Sequence, residues 1–164
     1  MKKIAFVVVV GLIVSAGAFA ATATGTLSLS GTVPQKVSIT VNPATAASSL
    51  ALDTTAADLL VANIVAQTND KLGFTVSVTS ANGGYLVGSG PTDELAYTID
   101  TSSSATGGTY TAADLTGATP ILSQSTRTTG TGVTQYLFIN YTGDPNLTSG
   151  QNYTDTLTFT IAGN

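Results

Sequence analysis

Tyr153-Thr154-Asp155-Thr156-Leu157-Thr158-Phe159-Thr160-Ile161, near the carboxyl end of the chain, alternates with a period of two. Tyr153, Leu157, Phe159 and Ile161 fall on one side, and Thr154, Thr156, Thr158 and Thr160 on the other. A β-branched hydroxyl face against an apolar face describes a half-buried strand, not a helix, whose apolar period would be 3.6. Asp155 falls on the apolar side, which places it at a sheet end, in a bulge, or beside a partner.

The same period recurs upstream. Val37–Val41, Leu59–Ala66, Phe74–Val78, Leu95–Ile99 and Gln135–Tyr141 read as strands, with a short one at Tyr85–Val87. Asn42-Pro43 closes the first, and Asn69-Asp70-Lys71-Leu72-Gly73 reads as a hairpin loop. Ala81-Asn82-Gly83-Gly84 and Gly88-Ser89-Gly90-Pro91 bracket the short strand. Residues 44 to 50 have room for one helical turn and nowhere is a 3.6 period sustained. The expected fold is all-β, an immunoglobulin-like antiparallel β-sandwich of about seven strands.

Composition narrows the chemistry. The 164 residues include no Cys, no His and no Trp, and only 9% are charged. Zinc, iron–sulfur and copper sites of the usual kinds need Cys or His, and so do thiol nucleophiles and His-dependent triads. Ser and Thr abound, but Lys36 and Lys71 stand in no Ser-x-x-Lys motif that would activate one. Asp93-Glu94 are adjacent, so on a strand they point apart and make a poor acid/base pair. Thr142-Gly143-Asp144-Pro145-Asn146 reads as a turn and not a calcium loop. The chain is expected to be no enzyme, with no cofactor and no metal.

Lys2 and Lys3 precede an apolar run from Ile4 to Val14, and small residues end in Ala18-Phe19-Ala20. That is the charged, apolar, small-residue pattern of a signal peptide, with cleavage expected after Ala20. The apolar core, interrupted by Gly11, Ser15 and Gly17, falls short of the roughly 20 residues that span a bilayer. The expected destination is secretion, through a periplasm to the cell surface or beyond, with no membrane insertion of the mature chain. Without residues 1–20, three basic residues face nine acidic ones, a formal charge of −6. Phosphate neutralisation needs clustered Lys and Arg, so no nucleic-acid partner is expected. With no Cys, no disulfide can compensate for a small core, and stability must come from sheet packing or from a partner.

Residues 21–34 follow the cleavage point, with Ala23, Gly25, Leu27, Leu29, Gly31 and Val33 on one face and Pro34 ending the run. Two readings are open. The segment is the first strand of its own sandwich, or it leaves its domain and completes a neighbour's, its backbone pairing with strand edges and its alternate side chains filling pockets.

Gly25-Thr26-Leu27-Ser28-Leu29-Ser30-Gly31-Thr32-Val33-Pro34, followed by Val37-Ser38-Ile39-Thr40-Val41, resembles one end of the spore-coat-U-like and alpha-class fimbrial subunits, secreted immunoglobulin-like pilins. Ser149–Ile161 is similar to the other end, where Gly150, Tyr153 and Asp155 introduce the last strand, and Asn69–Ser80 is similar to a middle stretch. Many spore-coat-U-like members carry cysteines, so this chain resembles the cysteine-free branch. The resemblance implies a structural subunit of a fimbria-like or coat-like assembly that polymerises by donor-strand complementation. Its implied partners are copies of itself or related subunits and a periplasmic chaperone and usher. Leu27, Leu29 and Val33 would be the inserted side chains.

Residues 101–132 are dominated by Thr, Ser, Gly and Ala, with larger residues at Tyr110, Leu115 and Ile121. Long loops in compact domains are often functional, and here the segment would be a variable contact surface or a tolerated insertion. As a weak hairpin it would pair residues 109–111 with 120–123. On the contact-surface reading the protein is instead a self-contained secreted binding module that meets a surface or matrix ligand through Tyr110, Leu115 and Ile121.

Overall fold

The computed structural model describes residues 22–90, 93–106, 111–113 and 115–164. The chain divides into one unit ending at Thr32 and another spanning Val33–Asn164. Residues 22–32 of the first unit form no strand, and Leu27 and Leu29 are 84% and 85% exposed. The signal-peptide reading falls on residues outside the described ones, as does Tyr110.

The second unit is all-β. In order come β1 (Val37–Pro43), a single 3-10 turn at Thr45–Ser48, β2 (Ala56–Thr68), β3 (Phe74–Ser80), β4 (Tyr85–Gly88) and β5 (Glu94–Ser102). After them come β6 (Thr111–Ala113), β7 (Thr119–Gln124), β8 (Thr128–Tyr141), β9 (Tyr153–Thr154) and β10 (Leu157–Gly163). Burial alternates most clearly in β3, β4 and β5. Phe74, Val76 and Val78 of β3 are fully buried, and Leu95, Tyr97 and Ile99 of β5 are buried while Glu94, Ala96 and Thr98 are exposed.

Two antiparallel sheets result. The larger has the order β1-β2-β8-β5-β4-β9, with β6 added to β5 beyond the end of β4; the smaller is β10-β3-β7. Their inward faces share one core, to which the larger sheet brings Ile64, Ala66 and Ile99 and the smaller brings Phe74, Val76 and Val78.

Three connections depart from the sequence reading. The Asn69–Gly73 turn does not close a hairpin, because β2 pairs with β1 and β8 while β3 pairs with β10 and β7; the turn carries the chain from one sheet to the other. Gly73 is required there. Its φ is +84°, and a Cβ would lie 1.9 Å from the Gln124 carbonyl oxygen. Residues 153–161 are not one strand but two, β9 on β4 and β10 on β3, with the change of sheet at Asp155. Among the described residues of 101–132 there is no hairpin of the segment's own, since β6 pairs with β5 and β7 with β3.

In consequence Leu115 and Ile121, at 5% and 8% exposure, are core residues and not a contact surface. Their apolar bulk is used inward, where the short β7 closes one side of the core.

Candidate functional site

The two sheets do not close on each other along one side. Among the described residues β1 pairs with β2 alone and β10 with β3 alone, so each leaves one edge without a strand partner. These two edges lie alongside each other. They run in opposite directions: Gly163, at the end of β10, lies against the Gln35 side chain just before β1, while Leu157 and Phe159 share a cavity with Val41 and Pro43.

That cavity, about 290 Å³, opens between the sheets and is lined from both, by Val41, Leu50, Val61, Leu86, Leu157 and Phe159 among others. Leu157, Phe159 and Ile161 face inward but are only half-buried, and Val37 and Val41 are 38% and 39% exposed. The alternation of the last strand is therefore intact while its apolar face lacks a complete cover. Two unpartnered strand edges flanking an apolar cleft suit one occupant above others, an extended strand that pairs with both edges and points alternate side chains inward.

Asp155 stands at the rim of this groove, where the chain changes sheets. Its carboxylate accepts the Tyr97 and Ser80 hydroxyls at 2.5 Å each, the Asn82 amide at 3.1 Å and the Thr156 amide at 2.6 Å. Ser80 in turn accepts the amides of Asn82 and Gly84 on its Oγ. A serine whose proton is given to a carboxylate and whose oxygen accepts two amides has no capacity left for nucleophilic attack. The cluster is a structural knot that fixes the β3–β4 turn to the crossing between β9 and β10.

Burial, reinforced by the hydrogen bond to Asp155, pushes the Tyr97 phenol well above its ordinary value. A phenol held neutral by the fold contributes stability that is complete below its unfolded pKa of about 10 and lost as the pH rises past it. The melting temperature is therefore expected to fall as the pH rises above about 10, and Tyr97→Phe to flatten that fall. Tyr141 and Tyr153 are raised as well, so a residual slope remains, measurable by circular dichroism across the pH series.

Asp93 has a different task. Its carboxylate accepts the Thr148 amide at 2.9 Å and the Tyr153 hydroxyl at 3.0 Å, and the Thr148 side chain, the Thr148 amide and the Tyr153 hydroxyl hold its pKa below the usual carboxylate range. It tethers the loop before β9. Among the described residues no group of three or more Asp, Glu, His or Cys is placed to hold a metal ion, and no helix is long and apolar enough to cross a membrane.

Of the residues singled out in the sequence, Leu27, Leu29 and Val33 are the most exposed large apolar side chains among those described, at 84–85%. The groove itself escaped the sequence reading, since it arises from two strand edges, β1 and β10, that lie side by side without pairing. Searches against protein-family models, curated proteins and solved structures give no match for this chain.

Proposed function

We propose that the protein is an exported structural subunit, an immunoglobulin-like sandwich lacking one strand, which polymerises when residues 23–33 of one copy fill the β1/β10 groove of the next. Two observations carry this reading: an apolar groove lies between two open strand edges, and residues 22–33 form no strand of their own while their leucines are exposed. Residues 21–33 carry no charged side chain and alternate apolar residues, small and large, with Thr or Ser, which suits a groove whose only charged lining residue is Asp155 at its rim. Covering each large apolar side chain stabilises by roughly 1.5–3 kcal/mol before ordering costs. A head-to-tail contact of this kind does not close on itself, so it builds fibres.

The likeness of the chain ends to spore-coat-U-like and alpha-class fimbrial subunits supports the same reading and extends it to a chaperone and usher as assembly partners. The protein has no catalytic role in it. A self-contained binding module resting on Leu115 and Ile121 has little support once both belong to the core.

The test is the mass distribution of the processed chain, residues 21–164, by analytical ultracentrifugation. The unaltered chain is expected to form a concentration-dependent head-to-tail series, and the Leu27→Asp/Leu29→Asp chain to stay monomeric because a carboxylate in an apolar groove is strongly unfavourable. A variant that multimerises like the parent would contradict the proposal.

A further inference from the structure

If the groove takes a strand, the nearest candidate in concentration is the chain's own segment. Using it depends on the short connection between Val33 and Val37. For self-filling, residues 34–36 would have to reverse direction and send the preceding segment back along β1, antiparallel to it and parallel to β10. A tight reversal here would be closed by a hydrogen bond from residue i+3 to the carbonyl of residue i. Over residues 33–36 it would need the Lys36 amide, and over residues 34–37 the Pro34 carbonyl.

Both groups are already engaged by one side chain. Asn69 Oδ1 accepts the Lys36 amide at 2.7 Å, and Asn69 Nδ2 donates to the Pro34 carbonyl at 3.0 Å. The Asn69 amide donates to the Lys36 carbonyl at 3.1 Å, extending the β1/β2 ladder by one pair past Val37 and Thr68. Next to it, Gln35 Nε2 donates to Asp70 Oδ2 at 3.0 Å. The turn that carries the chain between the sheets thus grips residues 34–36 as an extension of β1.

We infer that Asn69 is a positioning residue that keeps residues 34–36 extended and so prevents a subunit from capping its own groove, leaving the segment for a second copy of this chain. The inference rests on the donor-strand reading above. It makes the choice between self and neighbour a matter of two hydrogen bonds, both on one amide side chain.

Processed chains carrying Asn69→Ala or Asn69→Asp are refolded by dilution, sized, and offered a labelled peptide of residues 22–34. Asn69→Ala is expected to raise the monomer fraction about tenfold, the scale set by losing two net hydrogen bonds, and those monomers should refuse the peptide because their grooves are already filled. Asn69→Asp keeps the acceptor for Lys36 and loses the donor to Pro34, so it should fall between, with a melting temperature near the parent's. Monomer fractions equal to the parent's in both variants, or variant monomers that take up the peptide freely, would overturn the inference. The Leu27→Asp/Leu29→Asp chain separates this from failure of the underlying reading. Its open groove must bind the peptide whatever Asn69 does, and if it does not, the donor-strand reading itself fails.

Discussion

Asp155→Ala is expected to cost about 2–4 kcal/mol of stability, a large share of the 5–15 kcal/mol that holds an ordinary domain together. The cause is what the substitution leaves behind. Three donors lose their acceptor at once, the hydroxyls of Tyr97 and Ser80 and the amide of Thr156, while the Asn82 amide keeps Ser80 Oγ. Tyr97 is 6% exposed, so its hydroxyl has little access to water as a replacement. Each buried donor left without a partner costs about 1–3 kcal/mol, and solvent at the half-open rim recovers part of the sum.

Asp155→Asn should cost less, since one oxygen still accepts, and Tyr97→Phe combined with Asp155→Ala should cost less than the two added together, because both remove the same bond. Urea unfolding followed by circular dichroism checks all three. A loss within about 0.5 kcal/mol for Asp155→Ala would show that the knot is dispensable and that the crossing from β9 to β10 is held by its flanking ladders alone.

Much of the fold was legible in the sequence because it rests on alternation. Phe74, Val76 and Val78, and again Leu95, Tyr97 and Ile99, announce one buried face each, and the structure buries all six. Every strand expected from Val37 onward has a counterpart, Tyr85–Val87 as β4 and the closing run as β9 and β10, while β6 and β7 fall in the segment read as a loop or weak hairpin. What alternation does not carry is pairing. The run from Tyr153 to Ile161 keeps its period across Asp155 while the chain leaves β4 and joins β3, because a side-chain pattern says which face is buried and not which neighbour supplies the hydrogen bonds.

The Asn69–Gly73 turn failed as a hairpin for the same reason. Turn chemistry specifies a change of direction, and Gly73 satisfies it, but the sheet on either side is chosen by the core. Leu115 and Ile121 were misread because small polar residues around them look like a surface loop, although two isolated apolar anchors are enough to pin such a segment to the core. Leu27, Leu29 and Val33 were visible as an apolar alternation, while the groove was not, since no residue marks a place where two strand edges lie side by side without pairing.

The central claim is that the segment containing Leu29 lies, in the assembled protein, beside β10 of another copy. The absence of cysteine from the chain permits a direct test. Chains carrying Leu29→Cys are mixed with chains carrying a single Cys in place of Leu157, Phe159 or Ile161, whose side chains face the core, or in place of Thr158 or Thr160, which are exposed on the opposite face. A disulfide needs Cβ atoms about 3.5–4.5 Å apart, a distance within reach of neighbours on one face of a sheet and out of reach across it. Under mild oxidation the account predicts mixed dimers at one or more of the three inward positions and none above background at Thr158 or Thr160. Coupling as strong at the two threonines as at the inward positions, or no coupling at any of the five, would contradict it.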